Sequence, residues 1–204
     1  MLHLETIEPR TLDLLIKIQT IQIFSDLRLV GGTALALQIG HRKSIDLDLF
    51  GTLTADEIEV SNQLAMIGSV TILRKSENIN IFLINGIKVD IVKYPYNWLA
   101  EPLIESNLTI ADRRDIAAMK LAAITGRGTK KDFIDLYFLL KHFSLKQMLD
   151  FYSKKYNDGS AFLVLKSLSY FEDAESDENP MMLKSENWES MKKFIKTTLD
   201  NYTK

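Results

Sequence analysis

Residues 31–50 read GGTALALQIGHRKSIDLDLF. Two glycines precede a short apolar run, Gly40 closes it, and a basic pair, His41 and Arg42, leads to Asp46 and Asp48, each followed by a leucine. The run TALALQI has the composition of a short helix stopped by Gly40. SIDLDLF alternates strictly, as a strand does. Alternation sends Ile45, Leu47 and Leu49 to a core face and Ser44, Asp46, Asp48 and Phe50 to the other. Two like charges side by side repel, and burying either one unpaired is costly. A divalent cation removes both problems. Mg²⁺ favours one or two carboxylates completed by water and substrate phosphates, and carboxylates at i and i+2 can bridge a pair of metals about 3.5–4 Å apart.

Upstream, LRLV (27–30) reads as a short buried strand running into Gly31-Gly32. Glycines let the backbone approach a ligand closely, the start of the following helix favours phosphate, and Thr33 adds a hydroxyl. This is not a phosphate loop of the Walker type, because the lysine of that motif is missing. Before it, residues 9–24 carry a proline near the start and apolar residues at helical spacing, which predicts a first helix. Downstream, TADEIEVSNQLAMIG opens with Thr54 and Glu57 at capping-box spacing and reads as a helix, and VTILRK as a strand. In INIFLINGIKVDIVKY two alternating runs flank Asn85-Gly86, a strong hairpin signal. Asp90 lies in the second of these runs, an acid between Val89 and Ile91. If that strand lies beside the one bearing Asp46 and Asp48, three carboxylates share one face.

After Pro102 the pattern becomes helical: DRRDIAAMKLAAIT, KDFIDLYFLLKHF, SLKQMLDFYSKKY, SAFLVLKSLSYF and residues 185–202 each read as a helix, with an acidic, solvated connection at 172–178. The organisation expected is an α/β segment over 1–105 and a helical region over 106–204. The bulk numbers fit: 204 residues, 46% apolar and 25% charged, are those of a globular chain of one domain, or one with an appendage. Twenty-five Lys and Arg against 27 Asp and Glu leave a net charge of −2, which neither demands nor forbids nucleic acid. The absence of cysteine excludes disulfides, thiolate zinc sites and cysteine nucleophiles. With no signal-peptide pattern at the N-terminus and no apolar run of membrane-spanning length, the expected compartment is the cytoplasm.

The segment 31–50 resembles the opening motif of the polymerase-β-like nucleotidyltransferase superfamily: a Gly-rich turn, a short helix, then DxD on a strand. More narrowly it is similar to the AbiEii/AbiGii toxin group, whose GHRxSxDxD run is matched by Gly40, His41, Arg42, Ser44, Asp46 and Asp48. The later run DIAAMKLAAITGRGTKKDFIDL is similar to that group's second motif through Asp115, Lys120, Arg127, Asp132 and Asp135, with Lys131 where an arginine is common. There the charge is kept and the bidentate fork is lost. The resemblance implies a polymerase-β-like core with a mixed sheet followed by a helical C-terminal region. It implies an enzyme that uses Mg²⁺ or Mn²⁺ to move an NMP from an NTP to an acceptor hydroxyl. Asp46, Asp48 and Asp90 would be the metal and catalytic residues. Gly31, Gly32, Thr33, Arg42, Ser44, Lys120, Arg127, Asp132 and Asp135 would bind the nucleotide. Some members of the group are toxins with an antitoxin partner, and the acceptor can be tRNA.

Competing readings are open at this stage. Arg42 suits a phosphate or a structural cap. Lys120 stands alone in IAAMKLAAI and points at a phosphate or snorkels, while the charged set around it equally describes a salt-bridge network. His41 suits a structural role, the three histidines being scattered. The aromatics of 133–138 and 162–171 have the spacing of core residues. Lys192, Lys193 and Lys196 read as a solvated helix face. At the level of function, the alternatives are a transferase acting on a small-molecule antibiotic and a catalytically silent NTP-binding or protein-binding module.

Overall fold

The computed structural model describes residues 1–204 and divides them into two compact units, 1–95 with 102–111, and 96–101 with 112–204. In the first unit α1 (Pro9–Thr20) begins on a proline whose missing N–H is no loss at a helix start. Its Leu14, Leu15 and Ile18 are buried at helical spacing. The helix ends at Thr20, short of the expected 24, and a single 3₁₀ turn takes Gln22–Phe24. Next come β1 (Leu27–Val30), α2 (Gly31–Ile39), β2 (Leu47–Gly51), α3 (Glu57–Ala65), β3 (Val70–Arg74), β4 (Ile79–Ile84), β5 (Ile87–Lys93), β6 (Leu103–Glu105) and β7 (Leu108–Ile110).

The seven strands form one mixed sheet in the order β3-β4-β5-β2-β1-β7-β6. β2 pairs in parallel with β5, and β1 with β7; the remaining pairs are antiparallel. Alternation makes one face apolar. Leu29 stands opposite Leu49, Leu49 opposite Ile91, Leu47 opposite Val89, and Val89 opposite Phe82, all essentially without solvent exposure. α2 packs against β1 and β2, and α1 against β7. Every residue of α2 from Thr33 to Leu37 is buried, as well as Ile39, so this helix is apolar all round and sits inside the unit rather than on it.

The NG hairpin forms as expected: β4 and β5 pair from Ile84↔Ile87 outward, with Asn85 (φ 50°) and Gly86 (φ 81°) both left-handed, the requirement of a type I′ turn. Three local expectations are corrected. The N-cap of α3 is Asp56, whose Oδ1 accepts from the N–H groups of Ile58 and Glu59 (2.9 and 2.8 Å), not a Thr54–Glu57 box. The sheet continues past 105 through the β6–β7 hairpin, turned on Ser106 and Asn107 with positive φ (56° and 61°). Its three-residue strands are too short to show a period. Finally, the strand expected over 44–50 begins only at Leu47, and Ile45, expected in the core, is 57% exposed. β1 ends at Val30↔Asp48, so nothing pairs with the chain before Leu47 on that side.

The second unit is helical: α4 (Arg113–Gly126), α5 (Lys130–Leu140), α6 (Leu145–Lys155), α7 (Ala161–Ser167), α8 (Glu172–Glu175) and α9 (Trp188–Thr203). α4 packs against α5, α6 and α7, and α9 against α5 and α6. The helix expected over 160–171 stops at Ser167, and the acidic connection contains the short α8. That connection is largely exposed, as expected, but it is also pinned. Lys130 donates from its backbone N–H to Asp177 Oδ2 (2.9 Å) and from Nζ to the carbonyls of Glu175 (3.2 Å) and Asp177. Trp188 Nε1 donates to Glu175 (3.1 Å), and Lys192 pairs with the same carboxylate. Phe133, Phe171 and Trp188 form a ring cluster with centroids 4.7–6.3 Å apart, so these aromatics are packing residues.

Candidate active site

The acid-bearing face of the sheet is opposite the apolar one. β2 and β5 run in parallel with Asp48 directly beside Asp90, at the strand spacing of about 4.8 Å. Asp46 precedes β2 in irregular chain and is held there by its backbone, since its carbonyl accepts from the hydroxyl of Thr33, the α2 residue directly after the two glycines. Thr33 Oγ1 is also hydrogen-bonded to Ser44 Oγ (2.8 Å). A hydroxyl has one proton. With the Asp46 carbonyl able only to accept, Ser44 supplies the proton of the second bond.

The two glycines explain themselves by what lies against them. Gly31 has φ +69°, and a Cβ there would collide with the Asp48 carboxylate. A Cβ on Gly32 would collide with the Arg42 guanidinium, with Ser44 Oγ 3.5 Å away. The turn is therefore shaped around one acid and one base. Arg42 is 3% exposed and donates to the Lys43 carbonyl (3.0 Å); His41 is fully buried. Gly31, Gly32, Thr33, Arg42, Ser44, Asp46 and Asp48 thus meet at the N-terminus of α2, with Asp90 on the neighbouring strand. Gly31→Ala is expected to cost about 1–3 kcal/mol, the range for a residue forced into a sparsely populated backbone region, and to displace the Asp48 carboxylate. Urea titration and a transfer assay check this. A variant with unchanged stability and activity would mean that Asp48 does not need its place against Gly31.

One residue at this face was not singled out by sequence reasoning. Lys88, two residues before Asp90 on β5, points to the same side. Its Nζ donates to Asp90 Oδ2 (2.8 Å) and lies 2.7 Å from Oδ1 without hydrogen-bond geometry. Partial burial pulls the Lys88 ammonium down, but the hydrogen bond and charge of Asp90, followed by the charges of Asp48 and Asp46, outweigh it and hold it above its ordinary value. All three acids therefore act on one lysine. The signal was present as KVD, a cation and an acid at i and i+2 on one strand face.

The donor set is hard oxygen, which suits Mg²⁺ or Mn²⁺ bound by one or two carboxylates with phosphate and water. Asp46 and Asp48 fit that requirement. No three acidic or histidine side chains converge into a ready-made metal cage, and Asp90 is turned to Lys88.

The residues of the second motif meet in the helical unit. Lys120, on α4, is 5% exposed. Its Nζ lies 3.0 Å from Asp132 Oδ1 and 2.7 Å from Asp135 Oδ2, both carboxylates being fully buried on α5. Arg127 reaches Asp132 through Nε (2.9 Å) and Nη2 (3.1 Å), with a side chain 66% exposed. Asp132 also closes the capping box of α5 with Thr129. Burial raises its carboxyl, but the charge of Lys120 and the hydrogen bond from Arg127 prevail and hold it at about 2. Asp115 is a clasp. It accepts from the N–H groups of Leu99 (2.9 Å) and Ala100 (3.3 Å) and pairs with Lys155 (2.7 Å). Lys155 also donates to the Asn97 carbonyl (3.1 Å) and lies over the Trp98 ring.

Residues 13–202 match the family described as nucleotidyl transferase AbiEii toxin, type IV TA system. The chain belongs to the AbiEii nucleotidyltransferase family. An uncharacterized protein of Aquifex aeolicus is 38% identical over 192 residues, covering 91% of this chain and 92% of that one. Among solved structures, the fold is similar to a candidate nucleotidyltransferase from H. pylori (TM-score 0.62, 19% identity, 94% of this chain and 91% of that one). It is also similar to MenT4, a nucleotidyltransferase toxin from Mycobacterium tuberculosis (TM-score 0.62, 15% identity, 94% and 81%). The AbiEii chain is thus a nucleotidyltransferase with a mixed α/β fold, and no helix of it is long and apolar enough to cross a membrane.

Proposed function

We propose that this AbiEii protein is a divalent-metal-dependent transferase that moves an NMP from an NTP to an acceptor hydroxyl, as the toxin of a toxin–antitoxin pair acting in the cytoplasm on tRNA. The observation that carries the reading is the pairing of Asp48 with Asp90 on adjacent parallel strands, beside a helix that starts on Gly31 and Gly32. Asp46 and Asp48 would hold Mg²⁺ or Mn²⁺ with the triphosphate, and Asp90 would bind the catalytic metal and take the proton of the attacking hydroxyl. The metal supplies charge neutralisation on the phosphates as the α-phosphorus is attacked and pyrophosphate leaves.

The chain's own residues do the rest. Backbone N–H groups at the start of α2 and the buried Arg42 face the phosphate charge. Thr33 and Ser44 fix the segment that presents Asp46. In the second motif Arg127, whose side chain is the exposed one, is the proposed phosphate ligand; Asp132 pairs with it, and Lys120 pairs with Asp132 and Asp135. The description of the matching family as a toxin supports reading the acceptor as tRNA rather than an antibiotic.

The test uses each labelled NTP in turn with Mg²⁺ and pools of cellular RNA, protein and small molecules. Label is expected in tRNA. Label in the small-molecule pool would favour the antibiotic-type transferase, and NTP binding without label in any pool would favour a silent binding module. Asp90→Asn keeps shape and removes one charge. NTP affinity measured by calorimetry should survive, while transfer falls by about 10²-fold or more, the scale for losing a positioned acid–base group. Unchanged transfer would remove Asp90 from the chemistry.

A further inference from the structure

Lys88 has no part in the functional reading so far, yet it is hydrogen-bonded to the Asp90 carboxylate and pairs with it. We propose that Lys88 is a tethered cation that competes with the divalent metal for Asp90, so that in the nucleotide-free protein the metal site is Asp46 and Asp48 alone. This rests on the functional reading above, since it takes those carboxylates as metal ligands.

Three observations support it. The ammonium lies 2.8 Å from Asp90 Oδ2, to which it donates, and 2.7 Å from Oδ1, so the positive charge sits where a metal bound to this carboxylate would be. Lys88 and Asp90 sit at i and i+2 on one strand, so the pair is set by the strand itself and forms without any rearrangement elsewhere. Lastly, the Lys88 side chain is 40% exposed while Asp90 is 18% exposed. The lysine therefore has a route to solvent when the metal–nucleotide arrives, and the acid does not move with it. A negatively charged triphosphate next to the site gives the released ammonium a second partner. Lys88 thus acts as a positioning residue, holding Asp90 out of the metal set until substrate is present. The immediate consequence is that the face does not assemble a three-acid cage on its own, consistent with the geometry.

The test needs no turnover. Mn²⁺ binding to the nucleotide-free protein is followed by the loss of its free-ion paramagnetic resonance signal, for wild type, Lys88→Met, Lys88→Arg, Asp90→Asn and the double variant Lys88→Met/Asp90→Asn. Circular dichroism verifies the fold of each. Lys88→Met should tighten Mn²⁺ binding by about fivefold or more, since a partly exposed ion pair no longer has to be broken. Lys88→Arg should keep the wild-type affinity, and the double variant should bind as Asp90→Asn does. Unchanged affinity in Lys88→Met overturns the proposal. So does an equal gain in the Asp90→Asn background, which would make Lys88 a general electrostatic influence. The metal reading is judged separately: if Asp46→Asn and Asp48→Asn both bind Mn²⁺ as wild type does, those carboxylates are not its ligands, whatever residue 88 does.

Discussion

Asp48→Asn is expected to abolish nucleotidyl transfer, with a loss of about 10³-fold or more, while leaving the protein folded. Asp48 stands at the centre of the candidate site: paired with Val30 on one side and Asp90 on the other, its carboxylate set against Gly31 at the start of α2. An amide of the same shape keeps the packing against Gly31 but removes the charge that neutralises the metal. Losing one preorganised electrostatic contact at a reacting phosphate falls at the upper end of about 10²–10³ in rate, and loss of the metal itself removes more. Stability should change little or rise, because one of two adjacent like charges is gone. Label transfer from the preferred NTP, beside a thermal melt, measures both. A variant retaining a tenth or more of wild-type transfer would take Asp48 out of the metal site.

Lys120→Met is expected to act mainly on stability, by about 3–5 kcal/mol, the cost of removing one partner from a buried ion pair. The sequence alone left two roles open, a phosphate contact and a member of a salt-bridge network. The structure puts its ammonium between Asp132 and Asp135, two carboxylates without solvent exposure, and deleting it strands negative charge inside the helical unit. For a chain of this length that amounts to roughly 6–20 °C in Tm. The pH dependence carries a sign. Asp132 is held at about 2 in the folded protein, below an unfolded value of about 3.9. Its contribution is therefore present above pH 4 or so and lost as the pH falls toward 2. Without Lys120 the carboxylates take up protons at higher pH, so the variant should lose less to acid than wild type does. Adding Asp135→Leu to Lys120→Met removes the stranded charge and should recover part of the loss. A melting temperature within about 2 °C of wild type, with NTP affinity reduced tenfold, would return Lys120 to the phosphate.

The same pair of residues marks where sequence reading stops. Periodicity showed that Lys120 lies on a buried helix face, since its neighbours are alanine and leucine. It could not show which group meets the ammonium, because that group arrives from a helix 12 residues away whose rotation depends on packing. Asp115 is the stronger case. Its partner Lys155 is 40 residues downstream, and both side chains are fully buried.

By itself the sequence determined the order of glycine turn, short helix and acid-bearing strand, the hairpin at Asn85-Gly86, and the change to helices after the sheet. Those features are local: they depend on a period of 2 or 3.6, on turn residues needing positive φ, and on charges placed among apolar neighbours. The tertiary structure alone decided that β5 lies in parallel beside β2, bringing Asp90 level with Asp48. It also decided that Arg42 lies against Gly32, that a β6–β7 hairpin extends the sheet, and that Lys88 rather than open solvent meets Asp90. Strand order and charge pairing are long-range choices, made by which surfaces bury the most apolar area and leave the fewest ions unmatched. No window of residues carries that sum.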